Sequence, residues 1–257
     1  VSSTFGAYSS YYDLLYRDKD YAGEATYISR LVSEHSSGKA FSLLELGCGT
    51  GMHACLLAGQ GLVVHGVDAS QSMLTAAGAR VAANAALTKR VSFQRGDVRS
   101  IRTGSRYDAV ASLFHVVSYQ TADEDLNAII ATAAEHLNQG GVFLFDFWYG
   151  PAVLWLRPSV RVKRFSDERI SLTRLAEPAM RDAANVVDVH YTVFVESGAD
   201  ASISKILETH CMRYLFLPEV DQLLAAHGFV RERAEEWLTG ATPSTDTWSV
   251  CVVARKI

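Results

Sequence analysis

The string Leu44-Glu45-Leu46-Gly47-Cys48-Gly49-Thr50-Gly51, with an acid following at Asp68, holds the residues best suited to chemistry. Glycines directly after an apolar run let the backbone approach a ligand closely, and an acid about 20 residues on can accept both hydrogen bonds of a ribose diol. Any adenosine-containing group fits that logic. The spacing narrows it. The pattern is G-x-G-x-G with Met52 next, not the G-x-G-x-x-G that aims a helix N-terminus at a pyrophosphate, and no Lys-Ser or Lys-Thr follows to make a P-loop. Further on, Asp97 and Asp146 close apolar runs, and His115, Ser118 and Tyr119 follow another. Open α/β sheets place chemistry at the ends of such runs. An imidazole titrates near neutrality, so His115 suits removal of a proton from an ammonium acceptor; a histidine that merely bonds a backbone carbonyl is the rival reading.

These residues need elements to hold them. FSLLELG reads as a strand, GMHACLLAGQG as a helix and LVVHGVD as a second strand, which make one βαβ unit. The alternation continues through a helix in SQSMLTAAGARVAANAAL, strands VSFQRGD and YDAVASLF, a helix in ADEDLNAIIATAAEHL and a strand GGVFLFDFW. This predicts an open parallel α/β sheet over 41–150, wrapped by helices on both faces. Ahead of it, Tyr8, Tyr11, Tyr12, Tyr16 and Tyr21 surround the start of a helical pattern, a cap over 1–40. Past Pro151 the runs VRVKRF, RISLTRLA, NVVDVHYTVFVE and ISKILETHCMRYLFL predict an antiparallel β insertion over 151–216. PEVDQLLAAHGF then reads as a proline-started, glycine-ended helix, and VRERAEEW and TWSVCVVARK as strands that close the core over 217–257.

Composition excludes several classes. With 257 residues, 49% apolar and 20% charged, the chain carries enough hydrophobic side chains for a core, which rules out disorder and collagen-like structure. Gly47, Gly49, Gly51, Gly59, Gly61 and Gly66 crowd one short window, whereas Gly198 is alone between positions 151 and 227. That window is also the longest uncharged stretch, but six glycines and two histidines make it too polar for a membrane span. No signal-peptide pattern opens the sequence. Cys48, Cys55, Cys211 and Cys251 form no C-x-x-C pair, so a reduced, cytoplasmic setting is expected. A net charge of −4 predicts neither a nucleic-acid nor a membrane partner.

Over 41–150 the sequence resembles the class I S-adenosylmethionine-dependent methyltransferases. Glu45, Gly47, Gly49 and Gly51 match the first motif, Asp68 in GVDAS the acid that holds the ribose, and Met73 the apolar residue against the adenine. Asp97 and Val98 after Gly96 match the loop near the adenine amino group, with Ala69 and Leu113 completing the cofactor set. The resemblance implies a Rossmann-like, seven-stranded methyltransferase sheet and S-adenosyl-L-methionine as cofactor. More narrowly, Tyr12-Asp13-Leu14, Lys19-Asp20-Tyr21 with Glu24, C-G-T-G-x-H through His53, D-V-H-Y at 188–191 and the late β insertion look like the amino-sugar N-methyltransferases of nucleotide-linked deoxysugars. That likeness implies that Tyr12 and Tyr21 close over the cofactor, and that the insertion builds the acceptor pocket or a homodimer contact.

The expected reaction is methyl transfer to a small polar acceptor, first of all the amino group of a nucleotide-linked sugar. The alternatives are O- or C-methylation of a sugar or natural product, and a non-catalytic cofactor-binding scaffold. His115 and Tyr119 are the candidate catalytic residues; the amino-sugar enzymes tend to carry a histidine near the position of Tyr119. Tyr12, Tyr119, Asp146, Trp148, Tyr149 and His190 are the candidate acceptor contacts, the aromatic faces suiting a sugar or a base. No metal is expected: His190, His210 and Cys211 lack a thiolate pair or a spaced acid–histidine signature. RVKRF is read as a solvated edge in preference to a diphosphate grip.

Overall fold

The computed structural model describes residues 11–36, 41–199 and 202–257, so Tyr8 lies outside the described residues. Five strands run parallel: β1 (Ser42–Leu46), β2 (Val63–Asp68), β3 (Val91–Arg95), β4 (Tyr107–Ser112) and β5 (Leu137–Tyr149), in the order β3-β2-β1-β4-β5. Their runs are apolar at consecutive positions because helices cover both faces; Leu43, Leu44, Val110, Phe143 and Leu144 are all fully buried. Helices α3 (Met52–Gly59), α4 (Gln71–Ala82) and α5 (Asp123–His136) are the crossovers. The strand order reverses between β1 and β4, which opens a crevice beyond their carboxyl ends.

After helix α7 (Leu217–Ala226), strands β10 (Phe229–Glu236) and β11 (Ser249–Lys256) pair antiparallel, and β11 lies antiparallel along β5. These seven strands are the expected Rossmann-like methyltransferase sheet. Pro in the first turn starts α7, and Gly228, at φ 75°, ends it in the left-handed conformation that glycine adopts freely.

The late insertion consists of β6 (Arg161–Ser166), β7 (Ile170–Arg181), β8 (Val186–Ser197) and β9 (Ile203–Leu215), an antiparallel meander. It is joined to the core sheet rather than packed against it. Trp148 and Tyr149 of β5 pair with Tyr214 and Leu215 of β9, on the edge left open where β4 stops at Ser112, and one sheet of eleven strands results. A short helix absent from the sequence reading, α6 (Gly150–Leu156), is started by Pro151 and links β5 to the meander.

The cap comprises α1 (Tyr12–Leu15) and α2 (Tyr21–His35). Ala25, Ile28, Leu31 and Val32 form the buried stripe of α2 and join the core that also holds Ala54, Leu57 and Ala58 of α3. Among the described residues no helix is long and apolar enough to cross a membrane.

Candidate active site

The loop between β1 and α3 is shaped by Gly47, Gly49 and Gly51, at φ 79°, 52° and 72°. Two of them also answer to packing. A Cβ on Gly47 would stand 2.5 Å from Val116 Cγ2, and one on Gly51 would stand 2.7 Å from Phe93 Cζ. The position of a Cβ on Gly49 meets nothing within 4 Å, so the loop is open on that side. Asp68 closes the other side: Oδ2 accepts from Gly49 N at 2.9 Å and Oδ1 from Ser70 N at 2.8 Å. Burial raises its carboxyl pKa, and the backbone donors of Ser70 and Gly49 work against that.

Glu45, at the end of β1, is fully buried, and its Oε2 has no hydrogen-bond partner. Burial and the neighbouring charge of Asp68 push its carboxyl up to about 8. A buried acid with one open oxygen beside a glycine loop is a receptor for a cationic or N–H donor group. His53 stands between this acid and another, Nδ1 3.8 Å from Glu45 Oε1 and Nε2 2.7 Å from Glu24 Oε2.

Glu24 is the hub that ties the cap to the loop. It pairs with Lys19 and His53 and accepts from Trp237 Nε1 at 3.1 Å. Burial would raise its carboxyl, but the His53 hydrogen bond and the Lys19 charge outweigh it and hold the group at about 2. The sequence reading attached no role to Glu24 beyond likeness; the usable signal was an acid on the same helical face as Ile28 and Leu31. Asp13 makes a second tie, accepting from Thr50 Oγ1 at 2.7 Å and Arg80 Nη2 at 2.6 Å. Tyr12 and Tyr21 are thereby held over the loop. With His53, Leu113 and Phe114 they wall a narrow cleft of about 30 Å³, and Tyr21 packs edge-on against His53.

Phe114 also lines a larger cavity of about 540 Å³, whose wall includes Tyr16, Lys19, His115, Asp146, Lys163 and Ser249. Phe114 and His115 have φ of 61° and 65°, rare for residues with a Cβ, and no sequence signal announced this turn. Asp146 holds it. Its oxygens accept from His115 N at 3.1 and 3.2 Å, and Oδ2 lies 2.7 Å from His115 Nδ1, close enough for an ion pair but off the axis of a hydrogen bond. Tyr119, one 3-10 turn later, directs its hydroxyl 2.8 Å from His210 Nδ1 of β9, and His210 Nε2 lies 3.1 Å from Glu208 Oε2.

The remaining sequence candidates divide. Ala69 follows Asp68 and its carbonyl accepts from Arg95 Nε. Met73 is buried in the first turn of α4, and Val98 packs on the core below β4. Asp97 is engaged by Arg99, Nε to Oδ1 at 2.9 Å and Nη2 to Oδ2 at 2.5 Å, and this bond holds its carboxyl below the ordinary range. Trp148 shares the strand face of Asp146 and stands edge-on to His115 at 6.3 Å. Tyr149 is a correction. Side chains alternate along β5, so it packs with Phe145 and Phe147 on the opposite face. His190 is another: it is exposed, bonded to Thr209 Oγ1, and faces away from the side where Tyr191 meets His210. Among the described residues no group of three or more His, Cys, Asp or Glu is arranged to hold a metal.

Residues 43–141 match the family described as Methyltransferase domain. The chain is 35% identical over 187 residues to the dTDP-3-amino-3,4,6-trideoxy-alpha-D-glucopyranose N,N-dimethyltransferase of Streptomyces venezuelae, covering 71% of this chain and 74% of that protein. It is 29% identical over 225 residues to the dTDP-3-amino-3,6-dideoxy-alpha-D-glucopyranose N,N-dimethyltransferase of Streptomyces fradiae, covering 87% and 84%. Among solved structures it is similar to DesVI of Streptomyces venezuelae, with a TM-score of 0.80, 26% identity, and 97% and 98% of the two chains covered. The chain belongs to the S-adenosylmethionine-dependent methyltransferases and is an enzyme of that class, with S-adenosyl-L-methionine as cofactor and a small-molecule acceptor. Within the class, three of its relatives are named as N,N-dimethyltransferases of dTDP-linked amino sugars.

Proposed function

We propose that this chain methylates the amino group of a nucleotide-linked amino sugar. The observation that carries the reading is the junction at Phe114, where the glycine-loop cleft meets a cavity walled by an imidazole and a buried carboxylate. The named activities of its relatives support it.

When bound, S-adenosylmethionine supplies an electrophilic methyl carbon on a sulfonium sulfur. The chain's own task is to align the acceptor nitrogen, exclude water and manage one proton. Asp68 would hold the ribose hydroxyls, Glu45 the α-ammonium, and Met73, Asp97 and Val98 the adenine. The unpartnered Glu45 Oε2 and the open space at Gly49 fit such a group. Tyr12 and Tyr21 wall the cleft at the glycine loop, where they would cover the group once it is bound. His115, with Nδ1 turned to Asp146, keeps Nε2 for the acceptor N–H, and Asp146 offsets the positive charge that proton transfer would bring. Tyr119, linked to His210, orients the acceptor. Trp148 buttresses His115.

Two further expectations belong to this reading. Outer-face neighbours Val162, Leu175, Thr192 and Leu207 lie in one register row, with Val162 50% and Leu207 65% exposed, which supports a homodimer through the insertion. Four free cysteines support a reducing, cytoplasmic setting. The test is mass spectrometry of reactions with dTDP-linked amino sugars and their hydroxyl counterparts. A gain of one or two methyl groups on the amino sugar is expected; methylation of the hydroxyl compound alone would overturn the amine assignment.

A further inference from the structure

The ammonium of Lys19 stands where the two cavities meet. It lies 4.7 Å from the centre of the Tyr21 ring and 4.7 Å from the centre of the Phe114 ring, so both faces converge on one point. Tyr21 walls the glycine-loop cleft, Lys19 walls the larger cavity, and Phe114 walls both. A cation at that point lies in the passage between them.

Each ring has a support other than Lys19. Tyr21 is buried at the start of α2 and packs edge-on against His53 at 5.0 Å. Phe114 sits in the positive-φ turn and meets the Tyr16 ring edge-on at 5.0 Å. Lys19 itself is held by Glu24, which also pairs with His53. A lysine head is a compact point charge on a flexible four-carbon stem, so it can shift while its rigid aromatic neighbours stay. The negative face of an aromatic ring attracts a desolvated cation near its centre, a sulfonium as well as an ammonium. Methyl transfer requires the sulfonium carbon to face the acceptor cavity from the cofactor side, and the point between these rings has that position.

We propose that the faces of Tyr21 and Phe114 are the receptor for the sulfonium charge of S-adenosylmethionine, and that the Lys19 ammonium fills this receptor when no sulfonium is there. Lys19 then competes with the charged cofactor but not with the neutral thioether left after transfer. The chain thereby distinguishes cofactor from product by charge. This inference rests on the cofactor and not on the amine acceptor, so failure of the amino-sugar reading leaves it standing.

The test is titration calorimetry of the full chain with S-adenosylmethionine and with S-adenosylhomocysteine, which differ by one methyl group and one positive charge. The ratio of the two affinities reads the receptor. Phe114→Leu and Tyr21→Leu keep an apolar side chain and remove a ring face, and each is expected to lower affinity for S-adenosylmethionine relative to S-adenosylhomocysteine by about fivefold, a typical cation–π contribution. Tyr21→Phe keeps the face and should leave the ratio unchanged. Lys19→Met should raise the ratio about threefold or more, because the competing charge is gone. If the rings serve packing alone, both affinities fall together in the leucine variants. That result, a changed ratio in Tyr21→Phe, or an unchanged or lower ratio in Lys19→Met overturns the inference. Circular dichroism checks the fold of each variant; if Phe114→Leu does not fold, Tyr21→Leu and Lys19→Met decide.

Discussion

Replacing Glu24 by Gln removes the charge at which Lys19, His53 and Trp237 converge, and its cost follows from the carboxyl itself. The group falls from an ordinary 4.5 to about 2 in the folded protein. At 1.36 kcal/mol per pKa step, that difference is worth about 3 kcal/mol of stability near neutral pH. Because the folded-state value is depressed, the contribution is fully present above pH 4.5 and is lost as pH falls toward 2. By pH 3.5 about 1.4 kcal/mol of it has gone. Urea unfolding of wild type and Glu24→Gln at pH 7, 5 and 3.5 should show a gap of about 3 kcal/mol that is unchanged at pH 5 and clearly smaller at pH 3.5. Cofactor affinity should drop with it, because His53 walls the loop cleft. A gap below about 1 kcal/mol, or one that does not move with pH, would refute the reasoning.

Glu45→Gln should behave in the opposite sense. A folded-state value raised to about 8 means that the ionised acid opposes folding, so the variant should match the cofactor-free wild type below pH 4.5 and exceed it increasingly as pH rises toward 8, by thermal melting. Asp68→Asn should weaken S-adenosylhomocysteine binding about tenfold or more in calorimetry; full retention would remove Asp68 from the cofactor site. Gly51→Ala combines positive φ with a clash against Phe93 and should destabilise by about 1–3 kcal/mol. Adding Phe93→Leu should recover only part of the loss, since the backbone strain remains. For the proton, His115→Asn and Tyr119→Phe should each lower kcat; a His115→Asn enzyme with unchanged rate and pH profile makes the histidine structural.

The alternation of apolar runs with helical patterns, and the glycines and acids that end those runs, were enough to place Glu45, Gly49 and Asp68 on one loop edge. Local backbone physics does that work: strands end where side-chain packing stops, and only glycine turns so sharply there at low cost. Period-two alternation also separates Tyr149 from Asp146, three positions apart, so that misassignment was avoidable from the sequence. His190 was legible in the same way, because in DVHYTVFVE Asp188, His190, Thr192 and Glu196 alternate with Val189, Tyr191, Val193 and Val195, and period two puts His190 on the polar, outer face. The positive φ of Phe114 and His115 comes from Asp146 reaching across from β5.

The sequence by itself therefore determined the glycine loop between β1 and α3, since its residues lie within one βαβ unit and its geometry is local. Only the tertiary structure decided the surroundings of the larger cavity. Tyr119 meets His210 across 91 positions, Glu24 gathers Lys19, His53 and Trp237 from three parts of the chain, and a basic run that reads as an edge turns one face toward a cavity. Those pairings depend on which strand lies beside which, and the joining of β9 to the end of β5 settles that for the insertion.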